Sequence, residues 1–96
     1  MNNTKPHSDS TRMQLLRVSW SRCCEGLKAF TAKDGRLQEQ QVFEKLWMRY
    51  TETSRQYHSL QHLLECITHF EEVAAFANHP AEVEMALWFH DAVYEL

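Results

Sequence analysis

Leu60-Gln61-His62-Leu63-Leu64-Glu65-Cys66-Ile67-Thr68-His69-Phe70 is the stretch whose pattern decides the fold. On a wheel of about 100° per residue, Leu60, Leu63, Leu64, Ile67 and Phe70 fall on one face. His62, Glu65 and His69 fall on the opposite face, where His58 joins them. A clean split of this kind predicts an amphipathic helix with an apolar side to bury.

The same period repeats on both sides of it. Upstream, Thr51-Glu52-Thr53-Ser54 is short, polar and rich in capping residues, so a break is expected there. Before the break, Val42, Phe43, Leu46, Trp47 and Tyr50 share a helical face, leaving Glu39, Glu44, Lys45 and Arg49 for solvent. Lys33-Asp34-Gly35 interrupts the pattern, with Gly35 expected to take the positive φ of a helix C-terminal cap. Earlier still, Met13, Leu16, Trp20, Cys23, Leu27 and Phe30 follow a three-and-four spacing, with Ser10 or Thr11 as the cap. Downstream, Asn78-His79-Pro80 closes the third helix and opens a fourth, since proline suits a first helical turn. In that fourth helix Val83, Ala86, Leu87, Val93 and Tyr94 share a face, with His90 near its centre. The expectation is an all-α protein of about four helices, with a mobile tail over residues 1–10 and one helical domain over 11–96.

Composition agrees with that class. The 96 residues are 44% hydrophobic with only two glycines and two prolines, as a helix-rich globular chain requires. A formal charge of −3 with scattered Lys and Arg gives no basic stripe, so no nucleic-acid polymer is expected as partner. Three cysteines fit neither a disulfide framework nor a zinc pattern and are read as reduced thiols. With no apolar leader and no stretch approaching the roughly 20 apolar residues of a membrane span, a cytoplasmic protein is expected.

Two clusters could carry chemistry. His90-Asp91 sits in the otherwise apolar run Trp88-Phe89-His90-Asp91-Ala92-Val93-Tyr94, and a buried carboxylate needs a partner or a cation. A hydrogen-bonded core histidine beside a solvated aspartate is the plainer alternative. His58 and His62, four apart, project side by side and can reach one ion or one phosphate; a solvated polar face is the alternative there and for Glu65 and His69. Arg55 can pair with a phosphate through two parallel hydrogen bonds and Tyr57 can donate one, although both also read as surface residues. No nucleophile elbow, glycine-rich phosphate loop or H-E-x-x-H motif is present.

Arg55-x-Tyr57-His58-x-Leu60-x-His62 followed by Ala86-Leu87-Trp88-Phe89-His90-Asp91-Ala92-Val93-Tyr94 resembles the bacterial predicted metal-dependent phosphohydrolases of the HD-domain superfamily, all-helical proteins named for a consecutive His-Asp pair. The resemblance spans about Leu37 to Leu96. It implies an HD-like helical bundle in which His58, His90 and Asp91 are metal ligands. His62 is then a further ligand or a phosphate-binding residue, with Asp91 and His62 as catalytic candidates and Arg55, Tyr57 and His62 as substrate-side candidates. The implied cofactor is a divalent ion, Mn, Fe, Co, Ni or Mg, with Zn also compatible. The implied partner is a small phosphorylated substrate, a phosphomonoester or phosphodiester, nucleotides included. Superfamily members continue through further helices, one bearing another aspartate ligand, so this chain is expected to be the N-terminal portion of such a domain. Its fourth helix would then leave Trp88, Phe89 and Val93 partly exposed, favouring self-association. The alternatives are a catalytically inert truncated helical interaction module and a metal-binding regulatory protein without turnover.

Overall fold

A computed structural model of the 96-residue chain describes residues 9–51 and 60–90. Four helices make up the described fold: α1 (Asp9–Gly26), α2 (Gly35–Tyr50), α3 (Leu60–Val73) and α4 (Pro80–His90), with a single 3₁₀ turn at Ala74–Phe76 between α3 and α4. No strand occurs among the described residues, so the all-α expectation holds. No described helix is long and apolar enough to cross a membrane.

α1 is the helix on which the others assemble. It contacts α4, α3 and α2, and its residues Leu16, Ser19, Trp20, Cys23 and Cys24 are all buried. α3 contributes Leu60, Leu63, Leu64, Ile67 and Phe70, and α2 contributes Phe43, Leu46 and Tyr50. From α4 comes Trp88, at 0% exposure the centre of an aromatic cluster. Its ring lies edge-on to Trp20 at 5.4 Å and near Phe43 at 5.9 Å, offset geometries that aromatic quadrupoles favour.

Side-chain pairs along the helices give their relative directions. Arg12 reaches Gln61 near the starts of α1 and α3, and Arg22 reaches Glu71 toward their ends, so these two helices run parallel. Ser19 meets Glu84 and Trp88, whereas Gly26, further along α1, lies against Ala81, earlier in α4. Hence α4 runs antiparallel to α1 and to α3. A Cβ on Gly26 would come within 2.7 Å of the Ala81 Cβ, so this crossing requires the absence of a side chain.

Several local expectations change. α1 already includes Asp9, which places Ser10 and Thr11 inside its first turn rather than at the cap. It ends at Gly26, short of the expected Phe30, in a Schellman motif: the Ala29 N–H bonds the Cys24 carbonyl at 2.9 Å and the Lys28 N–H bonds the Glu25 carbonyl at 3.1 Å. Lys28 takes the left-handed conformation there with φ 54°, a position usually given to glycine, and Phe30 follows with φ 58°. Gly35, expected to provide that conformation, has no positive φ and instead opens α2. Its small size is needed for another reason: a Cβ would lie 1.7 Å from the Phe30 carbonyl oxygen. α3 ends at Val73, earlier than the Asn78-His79-Pro80 boundary, while Pro80 does begin α4 as expected.

Candidate functional site

The antiparallel run of α3 and α4 brings the start of one beside the end of the other. Consequently the described parts of the two motifs, Leu60 and His62 at the start of α3 and Trp88 to His90 at the end of α4, lie at one end of the bundle. Tyr50, the last residue of α2, is at that end too, donating its hydroxyl to the Trp88 carbonyl at 2.8 Å. Arg55, Tyr57, His58 and Asp91 lie outside the described residues.

His90 is exposed rather than central to a buried face. Its Nδ1 lies 2.8 Å from the Leu87 carbonyl oxygen. A carbonyl only accepts, so Nδ1 carries a proton in this contact. Metal-binding imidazoles are commonly oriented in this way, by an outer hydrogen bond that settles the tautomer. Of the three residues the resemblance implies as ligands, His90 alone is among the described ones. His62 is exposed on α3 with Glu65 and His69, as the wheel predicts, and its Nε2 lies 3.7 Å from the Cys66 Sγ. Among the described residues no group of three or more His, Cys, Asp and Glu is arranged to hold a metal ion.

The buried line of α4 differs from the expected one. Glu84 and Trp88, four residues apart, are its fully buried positions, while Val83 is 45% exposed and Ala86 is exposed. His90 lies two residues beyond Trp88, about 200° around the helix, which takes it out of the core. Trp88, expected to be partly exposed, is completely enclosed.

Sequence reasoning missed the polar network that makes this possible. The Glu84 carboxylate, 1% exposed, accepts from the Ser19 hydroxyl at 2.7 Å and from Arg22 Nε at 3.0 Å and 3.1 Å, with Arg22 Nη2 on the same carboxylate. The Trp88 indole N–H donates to Ser19 Oγ at 3.0 Å, and Arg22 Nη2 continues to Glu71 at 2.8 Å. Its hydrogen bonds to Glu84 hold the Arg22 guanidinium well above its ordinary value, against burial, with Glu71 adding to the effect. A buried carboxylate is tolerated only with partners of this number and strength. The available signal was Glu84 standing four residues before a tryptophan, on the same helical line.

Cys23, Cys24 and Cys66 are not joined in disulfides. Burial pushes the Cys23 thiol up to about 12 and the Cys24 thiol up to about 11, so neither offers a thiolate near neutral pH. A groove of about 500 Å³, lined by Phe70, Ala74 and Ala81 among others, opens where α3 ends and α4 begins, at the end of the bundle away from His90. No family model, curated protein or solved structure matches the chain.

Proposed function

We propose that this chain is an HD-type domain related to metal-dependent phosphohydrolases, acting on a small phosphomonoester or phosphodiester, with nucleotides within that class. The observation that carries the reading is the convergence of the start of α3 and the end of α4 at one end of the bundle, joined to the Nδ1-anchored ring of His90. That convergence is what two motif blocks separated by 23 residues of chain need in order to act on one phosphate.

In this reading His58, His90 and Asp91 hold a divalent ion of the Mn, Fe, Co, Ni or Mg type, or Zn. Such an ion, when bound, polarises a phosphoryl oxygen and lowers the pKa of a water molecule. Asp91 aligns the attacking water by accepting a hydrogen bond from it. Arg55 takes the phosphate through its planar fork, and Tyr57 and His62 donate to the remaining oxygens. No covalent enzyme intermediate is needed, in keeping with Cys23 and Cys24 being held as thiols. Three cysteines held as thiols, without disulfides, suit the reducing cytoplasm.

The test is a Mn²⁺ titration of the whole chain with its stoichiometry, run beside His90→Ala and Asp91→Ala variants of matched helical content. It is followed by hydrolysis of generic phosphomonoester and phosphodiester substrates. Binding lost in both variants and hydrolysis that depends on the ion are expected. Binding without hydrolysis would leave a metal-binding regulatory protein. A folded chain that ignores Mn²⁺ would sink the metal-dependent reading and leave the helical interaction module.

A further inference from the structure

We propose that the groove where α1, α3 and α4 meet is a binding site for a small organic cation, an ammonium group carried on an aromatic or branched aliphatic body. It lies at the end of the bundle away from His90, so the proposal stands apart from the phosphohydrolase reading. The groove of about 500 Å³ has Phe70, Ala74, Ala75 and Ala81 on its apolar side. The space exists because the side chains around it are short. α3 passes from Phe70 into Ala74 and Ala75, α4 opens with Pro80 and Ala81, and α1 ends on Gly26. Sites for small molecules span roughly 300–1,000 Å³ and are mostly apolar, with a few polar groups that fix orientation. This groove has both features.

Its charge selects the ligand. One guanidinium, Arg22, faces two carboxylates, Glu71 and Glu84, so the lining keeps a net negative charge. Glu84 is buried and fully engaged by Ser19 and Arg22. Glu71 is not: Arg22 takes only its Oε2, at 2.8 Å, the side chain is 45% exposed, and no donor among the described residues reaches Oε1. An ammonium group can.

The backbone adds charge of the same sign. α1 and α3 both end at this groove, and helix C-termini carry partial negative charge. Neither helix has a basic residue in its last turn, and α3 carries Glu71 and Glu72 there instead. Lys28, just past the end of α1, lines the neighbouring groove. The opposite pole, at the start of α4, already has Glu82 in its first turn. A second copy of the chain is the rival occupant, since Phe76, next to Ala75, is 86% exposed. Pairing two such grooves would bring like charges together, which favours the cation.

The experiment titrates the full chain with three probes of similar shape, phenethylamine, phenethyl alcohol and hydrocinnamate, at neutral pH. Amide NMR signals of Gly26, Phe70, Ala74 and Ala81 are followed. The amine is expected to bind about fivefold more tightly than the alcohol, the upper scale of a part-exposed ion pair, and the carboxylate more weakly than either. Glu71→Gln should make the amine and the alcohol equal. Ala75→Leu, at an exposed position of the groove wall, should abolish saturation by all three probes at unchanged helical content. Ala74→Leu fills the same groove from the adjacent position and should do the same. No saturation by the amine in the parent chain, equal affinity for amine and alcohol, tighter binding of the carboxylate, or saturation that survives both leucine variants would each overturn the proposal. So would groove signals that move with protein concentration alone and stop doing so in Ala75→Leu, because a second copy would then be the occupant.

Discussion

α3 and α4 are adjacent helices that solve the problem of burying one side in different ways. Between Leu60 and Phe70, α3 separates apolar from charged residues, with Leu60, Leu63, Leu64, Ile67 and Phe70 inside and His62, Glu65 and His69 outside, and exposes an apolar side chain only at Val73, its last residue. α4 buries a glutamate beside a tryptophan, and leaves Val83 exposed in the middle of the apolar face its spacing predicts. The difference lies in what each helix packs against. α3 presents an apolar face to a core that asks only for apolar area, whereas α4 meets Ser19 and Arg22 of α1, which satisfy a carboxylate. A helix is legible from its own sequence when its burial is apolar, and illegible when its buried face is completed by polar groups on a neighbour.

The largest test of this contrast sets one core residue of each helix against the other. Trp88→Ala removes the most enclosed side chain of α4 along with its hydrogen bond to Ser19, and is expected to cost about 4 kcal/mol. Leu63→Ala, also at 0% exposure, is expected to cost about 3 kcal/mol. Denaturant unfolding followed by helical signal measures both. If Trp88→Ala proved the milder by a wide margin, α4 would be a peripheral helix and the contrast would collapse.

The next test isolates the carboxylates. Glu84→Gln keeps the shape and loses the charge that two donor residues address, and should cost about 2 kcal/mol, the range of hydrogen bonds to charged groups. Glu65→Gln, on the exposed side of α3, should change stability by no more than about 0.5 kcal/mol. Similar costs for the two would mean that Glu84 is not held as described.

This is also where legibility divides. The helix content, the buried faces of α2 and α3, and the role of Pro80 could all be read from spacing, because each depends on local sequence alone. The buried line of α4 could not, because Glu84 counts as polar until Ser19 and Arg22 are known to face it. Gly35 shows a second limit: its dipeptide signals a turn, but the need for glycine comes from the Phe30 carbonyl, five residues earlier, rather than from its own φ. Of the candidate site, the outward face of His62 was legible from the wheel. The exposure of His90 was not, since it follows from the line that Glu84 and Trp88 define.

A pH series sharpens the polar side of the contrast. Burial, then neighbouring Cys24 and Glu84, push the Cys23 thiol up to about 12 from its ordinary 9.0. The unfolded chain releases that proton first, so above about pH 9 it binds fewer protons than the folded chain and stability falls as pH rises, levelling only near pH 12. Cys24 adds a shorter window ending near pH 11. The melting temperature should therefore decline from pH 9 to 11, and Cys23→Ala should flatten the decline. An unchanged slope in that variant would mean that the thiol is not enclosed beside Glu84.

The smallest expected effect is the most direct discriminator between the two readings of α4. Spacing places Val83 on the buried face with Ala86 and Leu87, and a hydroxyl introduced there would lose both packing and hydration, at a cost of about 2 kcal/mol or more. The structure leaves Val83 45% exposed, one residue around the helix from Glu84. Val83→Ser should then change stability by no more than about 0.5 kcal/mol, because serine at this position keeps its water. The experiment is informative because its expected outcome is near zero, and a near-zero result cannot arise from a core position. Paired with Glu84→Gln, it inverts the usual ranking, since the valine is dispensable and the glutamate is not. That inversion follows only if the buried line of α4 runs through Glu84 and Trp88, which is the same geometry that turns His90 outward at the end where α3 begins.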